Sequence, residues 1–120
     1  GELQRCHLAR ALAQSTPIVF LDEPTASLDL GHQQQALDLI ERLRRERRIT
    51  VVMTMHDLTL AAQYSDRMAL LSDGRVVAEG SPSQVLESNH LSTLYRARVK
   101  VLKVEDDIVV VPISNKKKSL

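Results

Sequence analysis

Aromatic side chains are scarce in this sequence: they make up 2% of its 120 residues, and tryptophan is absent. Proteins that bind single-stranded nucleic acid stack its bases on aromatic rings, so this composition argues against such a platform. Neither sign of charge is in large excess, because 16 basic and 15 acidic residues leave a net charge of +1. No strong field therefore attracts a polyanion or an anionic membrane. We expect no nucleic-acid partner.

Cysteines and long apolar runs are lacking as well. The single cysteine, Cys6, cannot form a disulfide within the chain and is compatible with a reducing compartment. Apolar stretches such as Ile18–Leu21 and Ile108–Val111 are far shorter than the ~20 residues that cross a bilayer. No signal-peptide pattern appears at the start. These features predict a soluble, cytosolic chain.

Strand-like and helix-like segments alternate through the first half of the chain. The apolar run Ile18–Leu21, between Pro17 and two acids, predicts a strand buried on both faces. Asp29 or the residues after it can cap a helix that runs to about Arg47, and Ile49–Met55 predicts a second strand. This order is typical of parallel strands joined by a helical crossover, and the chain is therefore predicted to be an α/β protein.

Further elements follow from local patterns. The dipeptide Asp73-Gly74 predicts a two-residue hairpin turn, and Glu105-Asp106-Asp107 predicts the turn of a last hairpin. The other predicted helices are Glu2–Gln14, Leu58–Tyr64, Pro82–Leu86 and Leu91–Tyr95, and the other predicted strands are Arg67–Leu71, Arg75–Glu79, Val99–Val104 and Ile108–Ile113. The first helix is already in progress at residue 1 with no capping residue before it. We therefore expect a longer protein that begins upstream.

Acidic and imidazole side chains follow the two predicted parallel strands. Asp22 and Glu23 come directly after the first strand, and His56 follows the second. Ligands bind beyond the carboxyl ends of parallel strands, so these side chains are expected at one edge of the sheet. One carboxylate can hold Mg²⁺, the other can take a proton from water, and the histidine can contact a phosphate oxygen. The alternatives are a capped acidic turn and a histidine that makes only a structural hydrogen bond.

Four segments, in the right order, resemble the ABC ATPase family. They are Gly1–Arg5, similar to the end of its signature motif; Ile18–Glu23, similar to Walker B; Ser27–Asp29, similar to the D-loop; and His56, similar to the switch histidine. The resemblance implies the C-terminal part of a parallel-sheet, P-loop NTPase-like core over residues 1–80. Short helices, a small β-hairpin and a basic tail would follow over residues 81–120.

The resemblance also implies ATP and Mg²⁺ as ligands and a role for each matching residue. Asp22 would hold Mg²⁺ through its water shell, Glu23 would polarise the attacking water, and His56 would contact the γ-phosphate. This is catalysis by positioning and charge stabilisation.

A second set of roles belongs to an ATPase dimer. Ser27 and Asp29 would cross the dimer interface beside the other subunit's site. Gly1 and Glu2 would face the γ-phosphate bound by the partner, where unpaired helix N–H groups favour an anion.

The Walker A motif of the family has no counterpart here. That motif needs Gly-x-x-x-x-Gly-Lys followed by Ser or Thr, and none of the four glycines precedes a lysine. We therefore expect that the chain does not bind ATP tightly and is inactive by itself.

Within the family, the importer branch is the most similar. The stretch Asp73–Pro82 resembles importer ATPases. The tail, Leu94-Tyr95 followed by a valine-rich hairpin ending at Pro112, resembles the iron-siderophore, haem and cobalamin importer subgroup. This implies an energy-coupling subunit on the cytoplasmic face of the membrane, with a second ATPase subunit, transmembrane permease subunits and, indirectly, a substrate-binding protein. The alternatives are a non-transport ABC ATPase in DNA repair or translation, and a non-enzymatic remnant of an interrupted gene.

Overall fold

The computed structural model describes residues 2–116, which form five helices and six strands. The helices are α1 (Glu2–Ala13), α2 (Leu30–Arg47), α3 (Leu58–Tyr64), α4 (Pro82–Val85) and α5 (Ser88–Tyr95). The strands are β1 (Ile18–Leu21), β2 (Thr50–Met53), β3 (Met68–Ser72), β4 (Arg75–Gly80), β5 (Val99–Val104) and β6 (Asp107–Pro112). The chain divides into two compact units, one ending at His56 and the other beginning at Asp57.

The first unit is a strand–helix–strand arrangement preceded by helix α1. Strands β1 and β2 pair in parallel, in a register that places Ile18 opposite Thr50. Helix α2 connects them, as predicted, because parallel strands need a long crossover. Asp29 caps this helix: its Oδ1 accepts a hydrogen bond from the His32 N–H at 2.9 Å. The α/β character and the parallel pair are both confirmed.

Three elements of the first unit contribute buried apolar side chains: Leu12 of α1, Val19 of β1, and Leu37 and Ile40 of α2. The two residues on α2 are three positions apart and therefore share one helix face. The guanidinium of Arg47 donates to the Leu12 carbonyl oxygen at 2.9 Å and so ties the end of α2 to the end of α1.

Strand β1 differs from its prediction in one respect. Val19 is 5% exposed, but Ile18 and Phe20 are 49% and 75% exposed. The sequence predicted burial on both faces, and that was wrong for the chain as it stands. The sheet has only two strands in the described residues, and alternate side chains of a strand point to opposite faces. The face that carries Phe20 is left open.

The second unit is built around two antiparallel hairpins and three short helices. Four of its buried side chains form one hydrophobic cluster, Leu70, Val85, Leu86 and Leu91, and Leu60 of α3 is buried as well. The turn between β3 and β4 is the predicted one, because Asp73 and Gly74 both have positive φ angles, 50° and 73°. Tight two-residue hairpin turns need this backbone conformation. In the last hairpin, Asp107 pairs with Val104 and belongs to β6, so its turn is one residue shorter than predicted.

Helix α3 has the predicted bounds and is capped by Asp57, whose Oδ1 accepts the Leu60 N–H at 2.9 Å. The predicted organisation into residues 1–80 and 81–120 stays a prediction. Among the described residues, no helix has the length and apolarity that a bilayer crossing requires.

Candidate active site

The predicted acids and histidine lie at one edge of the parallel sheet. Asp22 and Glu23 directly follow β1, and His56 is the third residue after β2. The His56 Nε2 atom is 2.5 Å from Glu23 Oε1. The two side chains are 88% and 40% exposed, respectively, so this pair is open to solvent. Exposed ion pairs contribute about 0–1 kcal/mol, and a bound ligand can therefore separate the two groups at little cost.

Thr54 joins this group, and the sequence-based reasoning missed it. Its hydroxyl donates to Asp22 Oδ1 at 2.6 Å and accepts the Glu23 backbone N–H at 2.9 Å. Its own N–H donates to the Leu21 carbonyl at 3.0 Å. The parallel register could have revealed it: β1 and β2 align Leu21 with Met53, so the next residues along, Asp22 and Thr54, also face each other.

The loop after β1 leaves the strand through a strained backbone. Glu23 and Ser27 have φ angles of 46° and 64°, a region that costs a non-glycine residue about 1–2 kcal/mol. Two turn hydrogen bonds hold the loop: the Ala26 N–H donates to the Glu23 carbonyl at 3.1 Å, and the Leu28 N–H donates to the Thr25 carbonyl at 3.3 Å. Conformations of this kind persist where surrounding contacts determine them, and they cluster at functional sites.

Asp29, predicted at a dimer interface, already has partners within its own helix. Its Oδ1 accepts the His32 N–H and lies 2.8 Å from His32 Nδ1. The backbone N–H of His32, and then its imidazole, hold the pKa of Asp29 below its ordinary value. At neutral pH this carboxylate is therefore a charged helix cap that is exposed to solvent.

The remaining predicted site residues are not part of this group. Ser27 is exposed in the loop after β1, and Glu2 is exposed in the first turn of α1. Within residues 2–116, neither makes a hydrogen bond to Asp22, Glu23 or His56. Gly1 lies outside the described residues.

The donor set at this edge fits Mg²⁺ held mostly by water and phosphate. Asp22 is exposed, and Mg²⁺ characteristically binds one or two carboxylates while the other ligands are waters and substrate phosphates. The part of the chain that the structure describes has no cluster of three or more His, Cys, Asp or Glu side chains that could hold a metal ion. A closed, all-protein metal centre is therefore not supported by the described residues.

A cavity of about 540 Å³ lies beside the acids in the first unit. Helices α1 and α2, strand β1 and the loop after it supply its walls, which include Leu8, Phe20, Asp22, Glu23 and Leu39. The acidic pair therefore lies at the border of an apolar cleft.

Comparison with known proteins gives a consistent set of relatives. The chain is 43% identical to the hemin import ATP-binding protein HmuV of Burkholderia thailandensis over 123 residues, covering 93% of this chain and 45% of that protein. It is 47% identical to the protein of the same name from Nocardia farcinica, covering 96% of this chain and 40% of the relative. The cobalamin import ATP-binding protein BtuD of Halobacterium salinarum is 46% identical, covering 84% of this chain and 25% of the relative. No protein-family model matches the chain.

Solved structures show the same relationship. An inward-facing ABC transporter, provisionally assigned to the metal-chelate type, superposes with a TM-score of 0.79 and 27% identity. The match covers 93% of this chain and 46% of that one. The chain is homologous to the C-terminal part of ABC transporter ATP-binding subunits.

The predicted fold class, the C-terminal part of an α/β, P-loop NTPase-like core, is thereby confirmed. The ATP-binding cassette MJ0796, a dimer in a post-hydrolysis state with ADP and phosphate, matches with a TM-score of 0.60 and 37% identity. That match covers 66% of this chain and 34% of MJ0796. The chain spans less than half the length of the curated ABC relatives described above.

Proposed function

We propose that this chain is part of an ATP-hydrolysing subunit of an ABC importer for haem, cobalamin or an iron chelate, and that it supplies residues that catalyse the hydrolysis. The observation that carries the proposal is the 2.5 Å contact between Glu23 and His56 at the ends of two parallel strands, with Asp22 beside them. Relatives at 43–47% identity that are named hemin import ATP-binding proteins support the class of transported molecule. No observation on this chain favours a DNA-repair or translation ATPase.

In this proposal each side chain has one task. Glu23 orients a water molecule and accepts a proton as the water oxygen attacks the γ-phosphorus, while the bond to the β–γ bridging oxygen breaks. His56 leaves Glu23 and donates a hydrogen bond to a γ-phosphate oxygen. Asp22 would hold Mg²⁺ through its water shell, where the ion would supply positive charge to offset that of the phosphate oxygens. The Walker A loop that grips ATP would come from a segment outside this sequence.

The assembly is also part of the proposal. Ser27 and Asp29, together with Gly1 and Glu2, would face a second ATPase subunit, with the last two next to its bound ATP. The dimer would work on the cytoplasmic face of the membrane, bound to two transmembrane permease subunits that receive cargo from a substrate-binding protein. The dimeric state of MJ0796 with ADP and phosphate supports two ATPase subunits as the working unit.

The proposal can be tested in a hybrid subunit, in which this chain replaces the matching C-terminal region of the hemin import ATP-binding protein from Burkholderia thailandensis. We expect the hybrid to hydrolyse ATP and to restore hemin-dependent growth in a strain that lacks the parent subunit. Glu23→Gln should lower turnover roughly 10²- to 10⁴-fold, the range for removing a general base. ATP binding, measured by equilibrium dialysis, should not change.

The matched control is Glu46→Gln, which makes the same change at an exposed glutamate of helix α2. Its turnover should equal that of the unmodified hybrid. Turnover that survives Glu23→Gln would overturn the hydrolytic assignment. Normal turnover without hemin-dependent growth would instead overturn the importer assignment.

A further inference from the structure

We propose that Thr54 is a positioning residue for ATP hydrolysis, which holds the Asp22 carboxylate and the Glu23 backbone in one fixed arrangement. Asp22 and Glu23 are adjacent, and adjacent side chains on an extended strand point to opposite faces of a sheet. Two carboxylates with complementary tasks at one site therefore require the chain to leave the strand between them. The left-handed backbone of Glu23, with a φ of 46°, is that departure.

The Thr54 hydroxyl forms hydrogen bonds to both residues at this change of backbone direction. It donates its one proton to Asp22 Oδ1 at 2.6 Å and accepts the Glu23 N–H at 2.9 Å. A hydrogen bond to an ionised carboxylate is short and about twice as strong as a neutral one. The bond from the Glu23 N–H also compensates for a backbone conformation that a glutamate rarely adopts. One hydroxyl thus determines both the direction of the Asp22 carboxylate and the backbone that carries Glu23.

The contact between Glu23 and His56 depends on where the Glu23 backbone lies. The Glu23 carboxylate lies 2.5 Å from His56 Nε2, so a backbone shift at Glu23 would displace the proposed general base from its partner. A displacement of about 1 Å in a reacting group can cost 10²-fold in rate. Thr54 is also two residues before His56 on the segment that follows β2, so the same short segment carries the hydroxyl and the imidazole.

This inference rests on the proposed function, and Thr54→Val in the hybrid subunit tests it. Valine keeps the β-branched shape of threonine and the backbone bond to Leu21 but removes the hydroxyl. We expect kcat to fall roughly 10- to 100-fold, the range for losing a hydrogen bond to a charged group, while the KM for ATP stays within about twofold. Thr54→Ser should restore most of kcat. Thr50→Val, the same substitution at the first residue of β2, should leave kcat unchanged.

Amide hydrogen exchange on the chain itself gives a second readout that needs no turnover. Thr54→Val should speed the exchange of the Glu23 N–H at least about tenfold, and Thr54→Ser should leave it protected. A Thr54→Val hybrid with full kcat, or a Thr54→Ser hybrid as slow as Thr54→Val, would overturn the role of Thr54. If either result is found while Glu23→Gln still lowers turnover roughly 10²- to 10⁴-fold, the proposed function stands without a role for Thr54. If turnover survives Glu23→Gln, the proposed function is wrong, and the role of Thr54 in hydrolysis, which rests on it, is wrong too.

Discussion

Glu41, near the middle of helix α2, accepts hydrogen bonds from two arginines one turn further along. Arg44 Nε lies 2.8 Å from its Oε2, and Arg45 Nε lies 2.6 Å from its Oε1. These bonds, and that from Arg44 above all, lower the pKa of Glu41 from 4.5 to about 2. Because the pKa is lowered in the folded state, the stabilisation is fully present above about pH 4.5 and is lost as the pH falls through about 2.

Glu41→Gln should therefore lower the free energy of unfolding at pH 7 by about 0.5–1 kcal/mol, the scale of exposed helical ion pairs. The difference from the unmodified chain should shrink as the pH is lowered from 4.5 towards 2. Urea unfolding followed by circular dichroism at pH 7, 4 and 3 measures it. The control is Glu46→Gln, at an exposed carboxylate that forms no ion pair with the described residues. A loss of equal size at every pH would contradict the prediction.

At the residue scale, the sequence led to Asp22, Glu23 and His56 as the proposed catalytic and metal-binding residues, but it did not lead to Thr54, the proposed positioning residue. Asp22, Glu23 and His56 follow strands in a familiar order of residue types, and the parallel register then places them together. Thr54 is an ordinary strand residue by type, and its role exists only through the contacts of its hydroxyl. The same limit applies to Asp29, whose bond to the His32 imidazole adds to a predictable cap.

At the scale of elements, the backbone conformation at the C-terminal end of helix α2 lowers the stability of the fold. Arg48 ends the helix in a left-handed conformation, with φ 53° and ψ 42°, and its N–H donates to the Arg44 carbonyl. A residue with a Cβ pays about 1 kcal/mol or more there, whereas glycine does not. Arg48→Gly should therefore raise the free energy of unfolding by about 0.5–1 kcal/mol, as measured by urea unfolding.

The matched control lies inside the same helix. Arg42 is exposed and has a helical backbone, so Arg42→Gly should lower the free energy of unfolding by about 1 kcal/mol. The two glycine substitutions, six residues apart, are thus expected to have opposite signs. Destabilisation by both would contradict the assignment of a strained helix end at Arg48.

Turns and helix caps with a strong local sequence signal were predictable, whereas the burial of a strand, which depends on neighbouring elements, was not. The Asp73-Gly74 turn and the Asp29 cap each depend on a local sequence signal, and both lie where the sequence indicated. The open face of β1 could not be predicted, because an apolar run does not tell whether anything covers it. Burial is a property of the surroundings, and here only Val19 within β1 is buried.

At the scale of the whole molecule, the open face of the parallel sheet is the main exposed apolar surface of the first unit. Phe20 lies opposite Val52 in the register, and Ile18 is two positions away on the same face. Their exposed fractions are 75%, 46% and 49%, respectively. Contiguous exposed apolar patches in soluble proteins mark surfaces that bind something or self-associate. The isolated chain should therefore bind an apolar fluorescent dye and associate as its concentration rises.

Phe20→Gln should reduce that dye fluorescence to roughly half and lower the average mass measured by light scattering, because phenylalanine is the largest apolar side chain on this face. Phe20→Leu, which keeps most of the apolar area, should behave like the unmodified chain. The helical circular dichroism signal should be the same in all three, since an exposed side chain contributes little to the stability of the unit. Equal dye binding by Phe20→Gln and Phe20→Leu would show that another surface is responsible.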